Sequence, residues 1–89
     1  MFSYTIPDEV KTKISGRFMR ELLLQLSLVF PDLHAEDINF IAGTVGWNDA
    51  FTAACSECDC KWLADYADGL EWYDWDIFAD ELTEMALGQ

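Results

Sequence analysis

The chain has 89 residues and carries 17 Asp and Glu against 5 Lys and Arg, a net charge of −12. With 52% apolar residues, among them 4 Trp, 3 Tyr and 6 Phe, it is not a disordered acidic tail, which lacks the apolar surface to offset the entropy of ordering. The length allows one core, so residues 1–89 are read as a single domain; the charge disfavours nonspecific contact with nucleic acid or anionic lipid and favours a basic partner.

Pro7, Gly16, Pro31, Gly43, Gly46, Gly69 and Gly88 punctuate the chain, and no internal repeat is visible. "MFSYTI" is β-prone, an extended arm with no second alternating run to pair with. "TIPD" reads as a helix start, with Thr5 capping the amide near Asp8 and Pro7 in the first turn. Val10 and Ile14 share a face before Ser15-Gly16 interrupts. From Arg17, the residues Phe18, Met19, Leu22, Leu23, Leu26, Val29 and Phe30 form a broad stripe, with Leu24 and Leu28 on the opposite side. A helix apolar nearly all round is the centre of a bundle or meets a second subunit, so a homodimer through the 17–30 helix is one expectation. Pro31 ends this helix.

The apolar run "LLLQLSLVF" is far shorter than the ~20 residues needed to span a bilayer. Bases precede it, as in a signal peptide, but Glu21 breaks that pattern and no small-residue cleavage site follows. Three cysteines, an odd number, argue for a reducing compartment. The expectation is a cytoplasmic protein with no membrane association.

His34 precedes "AED", acids suited to a first helical turn. Ile38, Ile41, Ala42 and Val45 repeat at helical spacing, and Gly43 and Gly46 weaken the end of that element. Phe51, Cys55, Cys58, Trp62 and Tyr66 then fall on one face of a single helix predicted from about Asn48 to Asp68, with Gly69 at its carboxyl end. Asp74 is placed to cap a last helix whose Trp75, Phe78, Ala79, Leu82, Met85 and Ala86 point one way. The predicted fold is all-α, a compact bundle of four to five helices.

Cys55-x-x-Cys58-x-Cys60, with His34 as a fourth donor, has the chemistry for tetrahedral zinc. On an unbroken helix, however, Cys60 points away from Cys55 and Cys58 at 100° per residue. Small core cysteines are therefore the preferred reading, and no metal or cofactor is expected. "DYADGLEWYDWD" fails as a calcium loop: in the frame starting at Asp65, Ala67, Gly69 and Leu70 occupy positions 3, 5 and 6. No Asp-Ser-Leu carrier-protein serine, phosphate loop, nucleophile elbow or His-Glu-x-x-His helix occurs. His34 has no nucleophile partner at a suggestive spacing. A non-enzymatic protein is expected.

The charge itself is the strongest signal. Residues 1–31 balance at +1, whereas residues 32–89 hold only Lys61 against the remaining acids, a balance of −13. Ordinary solvated helix faces mix signs, because opposite charges at i, i+4 add stability. Asp76, Asp80 and Glu84 instead follow one another at i, i+4, i+8, with Glu81 nearby. Successive carboxylates there stand about 6 Å apart along the axis, comparable to the spacing of phosphates along one nucleic-acid strand. Asp65, Asp68, Glu71 and Asp74 extend the series across Gly69. Trp72 and Tyr73 lie between helices among these acids, either covering the end of the bundle or serving as interface anchors, for which Trp and Tyr are favoured. Ile77 falls on the acidic side.

In size, charge and its Trp/Asp-rich carboxyl half, the chain resembles the small acidic inhibitors of phages and mobile elements, the DNA-mimicking anti-restriction and anti-CRISPR proteins. The resemblance covers about two thirds of the chain. It implies a non-enzymatic inhibitor of a basic nucleic-acid-binding protein or complex, itself binding no nucleic acid. Asp65, Asp68, Glu71, Asp74, Asp76, Asp80, Glu81 and Glu84 would meet the partner's Arg and Lys, and Trp72 would anchor. An antitoxin or immunity protein neutralising a basic nuclease uses the same physics, and a homodimeric adaptor is a third reading.

Overall fold

The computed structural model describes residues 4–32 and 41–88, and among these the regular structure is all helix. In chain order the helices are α1 (Asp8–Lys13), α2 (Gly16–Val29), α3 (Val45–Glu57), α4 (Lys61–Asp68) and α5 (Trp72–Leu87). The expected all-α bundle is what forms. His34, the acids after it and Ile38 lie outside the described residues.

α2 is the centre of the packing, lying mainly on α3 and then on α5. Ser15 begins it: its Oγ accepts from the Phe18 amide at 3.1 Å, satisfying one of the donors left open at a helix start. Phe18, Met19, Leu22 and Leu26 are buried, while Leu24, Leu28 and Val29 face outward. On α5 the predicted stripe holds, with Phe78, Ala79, Leu82 and Ala86 buried and Trp75 and Met85 packed at its edge.

The single helix predicted from Asn48 to Asp68 is two helices, broken at Cys58–Cys60. The Cys60 amide donates back to the Cys55 carbonyl at 2.8 Å and the Asp59 amide to that of Ser56 at 3.4 Å. These are the paired bonds of a Schellman ending, in which the residue after the cap must turn left-handed. Asp59 takes that position at φ 54°. An aspartate can do so because its short polar side chain tolerates this region, but the usual glycine signal is missing.

α3 also starts earlier than expected. Thr44 caps it, its hydroxyl accepting from the Trp47 amide at 3.3 Å. Gly43 precedes the cap at φ 82°, and a Cβ there would collide with the Asp76 carboxylate. Gly46, in the first turn, lets the end of α2 approach: a Cβ would stand 3.0 Å from both Phe30 and Val29. Val45, expected on an apolar stripe, is 76% exposed. Trp47 is instead the largest fully buried side chain. It stacks on Phe51 at 5.3 Å, meets Trp75 edge-on at 5.6 Å, and donates from Nε1 to Thr83 Oγ1 at 2.7 Å. That bond satisfies both polar groups at the heart of the core.

At the amino end, Pro7 rather than Thr5 sits at the cap of α1, without a side-chain cap bond. Thr5 and the buried Ile6 are held instead by Glu81, whose carboxylate accepts from Thr5 Oγ1 at 2.9 Å and the Ile6 amide at 3.0 Å. Lys13 lies over the Trp62 ring, 5.2 Å from its centroid. The hydroxyls of Tyr4 and Tyr66 hydrogen-bond. Burial first, then the Tyr66 bond, raises the Tyr4 phenol well above its ordinary 10.0.

Candidate acidic binding surface

Five of the predicted acids are exposed, on α4, at the cap of α5 and along α5. Asp65 and Asp68 are exposed on α4, Glu71 is the exposed cap residue of α5, and Asp76 and Glu84 are exposed along α5. Asp74 and Asp80 are half-buried. Asp74 is not the cap of α5: the helix begins two residues earlier, at Trp72, which puts Asp74 in the first turn, where a carboxylate still suits the dipole.

The ion pairs described are Lys61–Asp65, at 2.9 Å, and Lys11–Glu81, at 3.9 Å. The Asp65 hydrogen bond holds the Lys61 ammonium above its ordinary 10.5. Asp65 is thus neutralised in part by the one base of the acidic half. Glu81 is engaged within the molecule, tying Thr5, Ile6 and Lys11 to α5. Among the described residues, no basic side chain lies within ion-pair distance of Asp68, Glu71, Asp76 or Glu84. Arg17 is turned to the Glu57 carbonyl, at 3.2 Å. The negative charge extends beyond the predicted set, since Asp8, Glu9, Asp32, Asp49, Glu57 and Asp59 are exposed as well.

Trp72 and Tyr73 do not cover the end of the bundle. They stand 77% and 54% exposed, edge to face with ring centroids 5.4 Å apart. A large aromatic pair left in water beside carboxylates has the character of an interface anchor. Ile77 is also exposed, and with Ala42, Asp76 and Asp80 it lines a cavity of about 250 Å³. Asp76 and Asp80 are thereby brought to one depression, whereas Glu81 faces α1.

The three cysteines are free thiols: Cys55 is buried, and Cys58 and Cys60 are half-buried at the helix break. Burial pushes the Cys55 thiol up to about 12 from its ordinary 9.0, and Cys60 is raised for the same reason. Among the described residues, no group of three His, Cys, Asp or Glu side chains is placed to hold a metal ion. No described helix is long and apolar enough to cross a membrane. The chain matches no family model, no curated protein and no solved structure.

Proposed function

We propose that the protein is a non-enzymatic, stoichiometric inhibitor that lays its acidic α4–α5 surface into the basic nucleic-acid-binding site of another protein or ribonucleoprotein complex. The observation that carries this reading is the set of exposed carboxylates Asp68, Glu71, Asp76 and Glu84, which have no basic side chain within ion-pair distance among the described residues. Side chains left so raise the free energy of the fold by mutual repulsion. The same repulsion becomes attraction when a cationic groove closes over them. Asp65, Asp74 and Asp80 widen the surface, and Trp72 with Tyr73 supplies the apolar contact that gives such a complex its slow dissociation.

The finer identity rests on the resemblance to small acidic inhibitors of phages and mobile elements: a host defence nuclease or complex is the target, met in the cytoplasm of the host cell. Complementary fields accelerate the encounter and make it steeply salt-dependent. Affinity capture from host lysate at low salt tests this. The wild-type protein retains a nucleic-acid-binding partner that high salt releases. The triple variant Glu71→Lys, Asp76→Lys, Glu84→Lys keeps its helicity and loses that partner. Equal retention by both proteins refutes the assignment of the surface.

A second reading is favoured by the outer side of α2, where Leu24 and Leu28 are 54% and 69% exposed. Self-association along that helix makes the molecule a homodimer that presents two acidic surfaces. Mass in solution across a dilution series decides this, and a Leu28→Glu variant should remain monomeric throughout.

A further inference from the structure

A second depression, built between α3, α4 and the start of α5, has a different chemistry from the acidic face. It encloses about 320 Å³ and is lined by Asn48, Phe51, Thr52, Ala64, Asp68 and Trp75. This is the lower end of the ~300–1,000 Å³ spanned by small-molecule pockets, a size for one side chain rather than for a cofactor. Its polar groups are the Asp68 carboxylate, the Thr52 hydroxyl and the Asn48 amide, and among the described residues no basic side chain lines it. The Asn48 side-chain oxygen is buried without a hydrogen-bond partner among the described residues, and a buried acceptor of that kind calls for a donor.

The rest of the lining is aromatic. Trp75 is half-buried, steadied by Phe78 stacked at 5.7 Å and by Phe51 edge-on at 5.8 Å. Trp47 meets it edge-on as well, and the ring lines the depression. A tryptophan ring is the best of the aromatic faces for a cation.

We infer that this cleft is a receptor for a guanidinium group, an arginine side chain of the basic partner, and the inference rests on the reading of the partner given above. An arginine carries five donors on a plane, is weakly hydrated and stacks on aromatic rings. Asp68 takes its charge with two parallel hydrogen bonds. The Trp75 ring takes its flat surface, and a turn of the Asn48 side chain toward the cleft brings its enclosed oxygen to a remaining N–H. A lysine ammonium also pairs with Asp68 and sits over a ring, as Lys13 does over Trp62, but as a compact and strongly hydrated point charge it makes neither the paired hydrogen bonds nor the flat stacking. A nucleobase would also stack, but its phosphate meets a molecule of net charge −12.

The test needs no partner. A nitrogen-15-labelled sample is titrated with N-acetyl-arginine amide and, at equal ionic strength, with N-acetyl-lysine amide. The arginine compound produces saturable shifts at the Asn48 side-chain amide and the Trp75 indole N–H, while the Trp47 indole stays put. The lysine compound binds at least fivefold more weakly. Asp68→Asn, an exposed change that leaves the core intact, weakens the arginine compound at least fivefold. Equal response to the two compounds, shifts that bypass Asn48 and Trp75, or an Asp68→Asn protein that titrates like wild type each overturn the assignment. Such a result leaves salt-sensitive capture of a basic protein standing; conversely, loss of capture with an intact arginine titration overturns the proposed function and spares the cleft.

Discussion

Thr83→Val isolates a polar link at the centre of the core. Thr83 and Trp47 are both fully buried, and the indole N–H donates to the Thr83 hydroxyl at 2.7 Å. Valine keeps the shape of threonine, so no cavity opens, but the indole loses its acceptor. The hydroxyl also donates to the Ala79 carbonyl, which keeps its helical amide partner after the change, so little is lost there. A buried donor left without a partner costs about 1–3 kcal/mol, against the roughly 4–13 kcal/mol expected for a domain of this length at ~0.05–0.15 kcal/mol per residue. Taking about 2 kcal/mol, and 4–8 °C per kcal/mol for domains of this size, the midpoint falls by roughly 8–16 °C. Thermal melts followed by circular dichroism measure it. Thr83→Ser keeps the hydroxyl and gives up about one methyl, near 0.8 kcal/mol, so it must lose less than Thr83→Val. In a Trp47→Phe background, where no donor remains, Thr83→Val should cost much less than in wild type. A Thr83→Val protein that melts within about 2 °C of wild type refutes the reasoning.

Asp59→Gly relieves a left-handed residue and should add about 0.5–1 kcal/mol of stability, whereas Asp59→Val should subtract at least as much; urea titrations of the pair check this. Enlarging Gly46 to Leu should destabilise by about 1–3 kcal/mol through contact with Phe30 and Val29, seen in the same assay. The native Cys55 thiol, pushed up to about 12, should resist iodoacetamide at pH 8 and become reactive on unfolding, as peptide mass mapping would show. Because the folded thiol keeps its proton to about 12 while the unfolded one releases it near 9.0, its contribution to stability is intact below pH 9 and falls between pH 9 and 12. A Cys55→Ala protein should therefore lose less stability than wild type between those two pH values.

The helices that stand out in the sequence are those whose apolar spacing and punctuation agree. α2 has its break at Ser15-Gly16, its stripe and its Pro31, and α5 has a stripe that the folded chain buries as expected. The join between α3 and α4 was hidden for a physical reason: the spacing of Cys55, Cys58, Trp62 and Tyr66 runs on through the break, and Asp59 makes the left-handed turn where glycine would have announced it. Trp47 was missed because Gly43 and Gly46 read as weakness. In the fold they are the turn and the close approach that let Thr44 cap a new helix just ahead of that residue. That Asp68, Glu71, Asp76 and Glu84 have no basic side chain within ion-pair distance among the described residues follows from the scarcity of bases in the sequence. The engagement of Glu81 was not legible there, since its partners lie 75 and 76 residues away along the chain. Nor was the cleft at Asn48, which exists only once three helices meet.

The competition between this protein and nucleic acid for a captured partner probes the central claim most directly. With the partner immobilised at low salt and the protein bound, the nucleic acid that the partner normally holds is titrated in. Displacement of the protein, with an apparent affinity that falls in proportion to its concentration, is the predicted result. A stable three-way complex, in which nucleic acid and protein sit on the partner together, would contradict it.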